Sequence, residues 1–233
     1  MNKNQKVTIT KNGPYLVSGN LPLSKTISII GSEGEPEEWK QGPKYPEQEN
    51  YALCRCGESQ NKPYCDGTHV KSGFDGTETA SKKPFYKQCM FISGPELELA
   101  DAQDFCATAR FCHPSGGTWD NVENSDKPTA KNIAIKTASN CPSGRLVVHD
   151  KKTKKPYEKD FEPQVELIED PQKKSSGAIW LKGGIELESS DGSKYESRNR
   201  MTLCRCGNSS NKPFCDGSHI NAKFNDGDES LKR

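Results

Sequence analysis

The sequence predicts a β-rich α+β protein in which two related modules, in a pseudo-twofold arrangement, flank a small α/β insert. Three observations predict it. Only 31% of the 233 residues are hydrophobic against 28% charged, and 20 Gly and 15 Pro interrupt the chain. Long buried helices need more apolar sequence than this, so short strands and loops are favoured. The chain also repeats itself: Leu53-Cys-Arg-Cys-Gly57 recurs as Leu203-Cys-Arg-Cys-Gly207. Finally, residues 85 to 149 have a different character, with Ala and apolar residues at helical spacing.

The repeat extends beyond the cysteines. Ser59/Ser209, Asn61/Asn211, Lys62/Lys212, Pro63/Pro213, Cys65/Cys215, Asp66/Asp216, Gly67/Gly217, His69/His219 and Phe74/Phe224 coincide. Upstream, Gly13-Pro-Tyr-Leu-Val-Ser-Gly19 aligns with Gly177-Ala-Ile-Trp-Leu-Lys-Gly183, which leaves extra residues in the first copy around Gly31 to Pro46. Short apolar runs followed by alternating Leu21/Leu23 and Ile185/Leu187 read as strands leading to each loop. Half-domains this small bury little core alone, so the copies are expected to pair within the chain. The division is 1–84 for the first module, 85–170 for the insert and 171–233 for the second module. Within the insert, Asp101 to Arg110 and Thr129 to Asn140 read as helices, the first capped by Asp101.

Ten cysteines admit a disulfide framework, which would need an oxidising compartment. Met1 to Lys11 is polar and basic with no apolar core, and no run of about 18 apolar residues follows. A soluble, reducing, cytoplasmic setting is therefore expected. A formal charge of +1 invites neither nucleic acid nor membrane, and Lys151, Lys152, Lys154 and Lys155 read as a solvated turn.

Each loop reads C-x-C-x8-C-x3-H, placing three thiolates and one imidazole within 16 residues. Four ligands form a closed site, and ligand identity leaves structural zinc open as the alternative to iron–sulfur. Spacing favours iron–sulfur: zinc sites commonly take C-x2-C turns, whereas C-x-C followed by C-x3-H suits ligand pairs on two adjacent irons. The stretches Cys54-Arg-Cys-Gly-Glu-Ser-Gln-Asn-Lys-Pro-Tyr-Cys-Asp-Gly-Thr-His69 and Cys204-Arg-Cys-Gly-Asn-Ser-Ser-Asn-Lys-Pro-Phe-Cys-Asp-Gly-Ser-His219 resemble the signature of the CDGSH iron–sulfur (NEET) family. The first differs from it by Thr68 for Ser.

That resemblance implies two [2Fe–2S] clusters. Cys54 and Cys56 would hold the inner iron of the first, with Cys65 and His69 on the outer one; Cys204, Cys206, Cys215 and His219 repeat the set. One neutral nitrogen in place of an anionic sulfur raises the potential above that of an all-cysteine site. Asp66 and Asp216 are expected to accept backbone amides. Thr68 and Ser218 either hydrogen-bond a cluster sulfur or serve plain turn chemistry. The chain resembles soluble tandem-motif members, whose two motifs imitate the homodimer of membrane-anchored ones, more closely than it resembles the membrane-anchored ones, and its motifs lie much farther apart in sequence.

In the insert, Cys141-Pro-Ser-Gly-Arg-Leu146 resembles the last ligand and proline of mono-cluster [4Fe–4S] ferredoxins, with Cys89, Cys106 and Cys112 as candidate co-ligands. Cys106 and Cys112 are six residues apart, and on one helix they would diverge by roughly 600° of rotation unless it ends at His113-Pro114. The expectation is a degenerate ferredoxin-like insert whose cysteines are buried apolar fillers, with a third [4Fe–4S] cluster as the alternative. His113 reads as a cap or a ligand, His149 as solvated, and Trp39, Trp119 and Trp180 as packing residues.

No Ser-His-Asp set, phosphate loop or dinucleotide-binding turn stands out. Closed four-ligand sites leave no position for substrate, so a non-enzymatic role is expected: electron transfer, or cluster transfer and redox sensing. The partner would be a redox protein or an apo iron–sulfur acceptor, and the chain a monomer with an internal pseudo-dimer or a homodimer. The rivals are a structural zinc-binding interaction protein and a redox enzyme subunit with a third cluster in the insert.

Overall fold

The computed structural model describes residues 5–232. In these are strands β1 (Lys6–Ile9), β2 (Tyr15–Ser18), β3 (Leu23–Ile30), β4 (Pro36–Lys44), β5 (Asn50–Leu53), β6 (Met90–Ser93), β7 (Leu97–Asp101), β8 (Leu146–Asp150), β9 (Gln164–Asp170), β10 (Ser175–Lys182), β11 (Glu186–Glu188) and β12 (Arg200–Leu203). The helices are α1 (Thr68–Lys71), α2 (Thr118–Glu123), α3 (Pro128–Ser139) and α4 (Ser218–Asn221). The architecture is β-rich α+β, with sheets ordered β11-β1-β2-β5, β12-β10-β9-β3-β4 and β6-β7-β8.

The first two sheets each combine strands of both copies. β11 lies parallel to β1, Val7 opposite Leu187, and β3 lies parallel to β9, Leu23 opposite Val165. Exchanging equivalent strands between the copies turns the order β11-β1-β2-β5 into β3-β9-β10-β12, which is the order of the second sheet up to its edge strand β4. Alternate residues of both sheets, Val7, Ile9, Tyr15 and Val17 with Val165, Leu167, Ile179 and Leu181, share one core. Neither copy owns that core, which gives the swap its hydrophobic driving force.

The outer faces differ. On β2 Leu16 is 44% exposed, whereas its counterpart Trp180 on β10 is 1% exposed. Every residue of β10 is buried, because Trp39, Ala107 and Phe161 pack with Ile168, Ala178, Trp180 and Cys215 on that side. Trp39 comes from the extra first-copy residues, which form the β3–β4 hairpin. It stacks on Phe111 at 4.2 Å and meets Trp180 at 5.2 Å.

In the insert, Leu97, Leu99, Leu146 and Val148 of β7 and β8 pack on Val122, Ala134 and Ala138 of α2 and α3. The expected helix at Thr129 to Asn140 is α3: proline occupies its first position, and Ala130, Ala134 and Ala138, four residues apart, form its buried face. The expected helix at Asp101 to Arg110 does not form. Asp101 ends β7 and accepts from Arg145 and Trp119 instead of capping. Cys106 is extended and Thr108 and Arg110 are left-handed, backbone that a right-handed helix cannot contain. A single 3-10 turn, Gln103–Phe105, is all that remains.

His149 is a second correction: on β8 it is 8% exposed and hydrogen-bonded to the Tyr86 hydroxyl at 2.9 Å. The lysine run after it does form a turn, with Lys152, Lys154 and Lys155 exposed. Among the described residues no helix is long and apolar enough to cross a membrane.

Candidate metal centre

Each loop is organised by residues that the repeat duplicates. Ser59 Oγ donates to the Tyr64 carbonyl at 2.7 Å and accepts the Asn61 amide at 3.1 Å; Ser209 repeats both contacts with Phe214 and Asn211. Lys62 and Lys212 donate to the carbonyls of Ser59 and Ser209. Asp66 accepts the amides of Gln60 and Thr68, and Asp216 those of Ser210 and Ser218, as expected. The Gln60 and Thr68 hydrogen bonds hold the Asp66 carboxyl well below its ordinary range. Burial would raise Asp216, but Ser218 and Ser210 outweigh it and bring it down to about 2. The Ser218 hydroxyl also donates to Asp216, at 2.6 Å. It therefore serves turn chemistry.

Gly67 and Gly217, both at φ 86, then swing α1 and α4 so that histidine returns to cysteine. Cys65 Sγ and His69 Nδ1 stand 3.3 Å apart, Cys215 Sγ and His219 Nδ1 3.4 Å. The other two donors pair likewise: Cys54 and Cys56 sulfurs lie 3.8 Å apart, Cys204 and Cys206 sulfurs 3.7 Å. Two sulfurs on one tetrahedral metal at about 2.3 Å each stand about 3.8 Å apart. The two cysteine pairs thus have the separation of two ligands on one metal, and among the described residues no three His, Cys, Asp or Glu side chains converge on a single ion.

Electrostatics favour one thiolate, Cys204, and a neutral nitrogen at His219; burial raises Cys56 and Cys215, and the Cys204 thiol followed by burial raises Cys206. Cys204 falls to about 6, chiefly because the Cys206 thiol donates to it and the amides of Ser209 and Gly207 help outweigh burial. Burial raises Cys56 to about 11 against the Glu58 amide, which lies 3.4 Å from its sulfur. Burial, then Arg205, lowers His219 to about 4, so its ring is neutral across the neutral range.

The two loops touch. A Cβ on Gly57 would overlap the Cys206 carbonyl, and one on Gly207 the Cys56 carbonyl. Sequence reasoning also missed the arginine between each cysteine pair. Arg55 donates to the carbonyls of Gly76 and Thr10 and lies over Phe74. Arg205 lies over Phe224 and meets Glu169, Asp226 and the carbonyls of Ile168 and Gly177. Its signal was visible, since both copies place arginine there.

Of the insert cysteines, Cys112 and Cys141 pack against the insert core and Cys89 against the shared core. Cys106, Cys112 and Cys141 are only partly buried and line one cavity with Arg145. Left-handed Thr108 (φ 55) and Arg110 (φ 63) turn the chain so that thiols six residues apart line the same cavity. Burial, then Cys141 and Cys106, raises Cys112 to about 12. Cys89 lies elsewhere, donating to the Phe85 carbonyl at 3.2 Å. His113 caps no helix: it is exposed, 3.2 Å from Glu35. The three tryptophans pack as expected, Trp119 beneath Arg145.

All ten cysteines are free, and with the donor pairs described above this is the constellation of an iron-binding protein. The family described as iron-binding zinc finger, CDGSH type, matches residues 12–70 and 176–220, and the one described as divergent 4Fe-4S mono-cluster matches residues 92–151. No curated protein matches the chain. The chain thus carries two CDGSH-type segments around a divergent mono-cluster segment, and these matches support an iron–sulfur protein.

Proposed function

We propose that the protein holds a [2Fe–2S] cluster in each CDGSH loop through Cys54, Cys56, Cys65, His69 and through Cys204, Cys206, Cys215, His219, and serves in electron transfer or in cluster transfer and redox sensing. The observation that carries this reading is the two-by-two pairing of donors, each cysteine pair with the separation of two ligands on one tetrahedral metal. The strand correspondence and the reciprocal glycine contacts support a pseudo-twofold arrangement, an internal dimer. Cys106, Cys112 and Cys141 are the residues that would hold a third, [4Fe–4S] cluster, with one iron left to a ligand other than cysteine. Bound clusters supply one-electron chemistry; the chain fixes the thiolates, keeps His219 neutral and limits water. The partner is a redox protein or an apo acceptor, in a reducing, cytoplasmic setting.

Iron, acid-labile sulfide and zinc per anaerobically purified chain test this, beside a visible spectrum. About four iron and four sulfide support two [2Fe–2S] loops, and about eight of each add the insert. Zinc without sulfide overturns the reading. In addition, His69→Cys and His219→Cys are expected to retain iron while lowering the potential of the substituted site by on the order of 100 mV. Redox titration checks this, and unchanged potentials would remove histidine from the ligand set.

A further inference from the structure

The loops match in sequence and in donor spacing, yet their surroundings are opposite. Cys65 and His69 are partly open to solvent, whereas Cys215 is 2% and His219 4% exposed. The difference comes from the insert. Ala107 packs with Cys215 and Trp180, and Thr108 occupies the space where a Cβ of Gly217 would sit. Ala107, Thr108 and Ala109 line one small cavity with Trp39 and His219. Around Gly67, the equivalent of Gly217, a Cβ would meet nothing within 4 Å.

This roof is latched by an element that only the first copy carries. The β3–β4 hairpin grips the insert through the Ser115 amide on Glu33 (2.7 Å), His113 beside Glu35 (3.2 Å) and the Trp39–Phe111 stack. On the other side Arg110 pairs with Asp170 at 2.8 Å, and the Asn211 side chain of the second loop donates to the Asp104 carbonyl at 2.7 Å. Reaching the second loop's outer ligands therefore requires moving a packed segment, while reaching the first requires none. Opening a packed segment carries a free energy that slows exchange.

We propose that the two loops are functionally unequal. The first, around Cys65 and His69, is the port through which solvent species and partners reach the bound group. The second, around Cys215 and His219, is roofed by Ala107 to Ala109 and retains what it binds. This rests on the cluster reading above, and Thr108 and Trp39 act in it as positioning residues.

The test is iron loss from the loaded full-length chain in excess chelator, followed by visible absorbance and released iron. Loss from the second loop is expected to be at least about tenfold slower than from the first. Cys65→Ser removes the fast phase and Cys215→Ser the slow one. Thr108→Gly, which suits the left-handed backbone there, accelerates the slow phase severalfold and leaves the fast one alone. Equal rates, the reverse assignment, or a slow phase indifferent to Thr108→Gly would overturn the proposal. Alkylation of the metal-free chain supplies a readout without cluster: Cys65 labels before Cys215, and equal labelling counts against the roof. A chain that takes up no iron and sulfide but labels in this order overturns the cluster reading and supports unequal access.

Discussion

Replacing Arg205 with alanine is expected to cost about 3–5 kcal/mol of stability, and the matched change at Arg55 about 1–3 kcal/mol. The two arginines occupy equivalent positions and are equally buried, at 4% and 2% exposure. Their partners differ. Arg55 donates to the carbonyls of Gly76 and Thr10 and, among the described residues, has no ion-pair partner, so its loss leaves neutral acceptors unpaired. Arg205 pairs with Glu169 and Asp226, which also face Lys25 from the first copy at 3.4 and 3.3 Å. Without Arg205, two buried carboxylates share one lysine. Urea unfolding of the two variants side by side measures the difference, and equal losses would show that the carboxylates are solvated.

The same network predicts a pH signature. Burial raises Glu169 despite Arg205 and Lys25, whereas for Asp226 those two cations outweigh burial and depress it. A depressed carboxyl stabilises the fold above its unfolded value, near 3.9, and that stability is lost as pH falls through the folded value. Removing Arg205 lifts both carboxyls. A folded value above the unfolded one means that the native state takes up the proton first, so stability returns as pH falls. The Arg205→Ala deficit should be largest near pH 7 and narrow toward about pH 5; a constant deficit over that window would place the charge elsewhere.

The ligand loops were legible because their determinants are local. Ser59, Lys62, Asp66 and Gly67 act on residues within a few positions, and each is duplicated in the second copy, so spacing alone points to them. Trp180 in place of Leu16 was a visible sign that the second copy is covered, though not by what. The cover itself was illegible for physical reasons. Thr108 and Arg110 adopt left-handed backbone without glycine, which no propensity announces, and Phe105 and Ala107 are claimed by two different cores built largely from distant parts of the chain. The insertion at Gly31 to Pro46 was readable as extra length. Its task of holding the insert is set by contacts with Phe111 and Ser115, far along the chain.

A side chain at either contact glycine should damage both loops. Gly57 and Gly207, at φ 81 and 80, require backbone that costs an L-residue about 1–2 kcal/mol. In addition, the new Cβ would strike the backbone of Cys206 or Cys56, adding about 1–3 kcal/mol of overpacking. Gly67→Ala separates the two effects, since its φ of 86 is equally demanding but its surroundings are open. It should cost only the backbone share. Because each carbonyl belongs to a residue that supplies a donor to the opposite loop, Gly207→Ala should loosen iron at the first site as well as the second. Measuring iron retention in Gly207→Ala with the second site disabled by Cys215→Ser isolates that coupling. Retention at the first site equal to that of Cys215→Ser alone would mean that the loops fold as independent clasps.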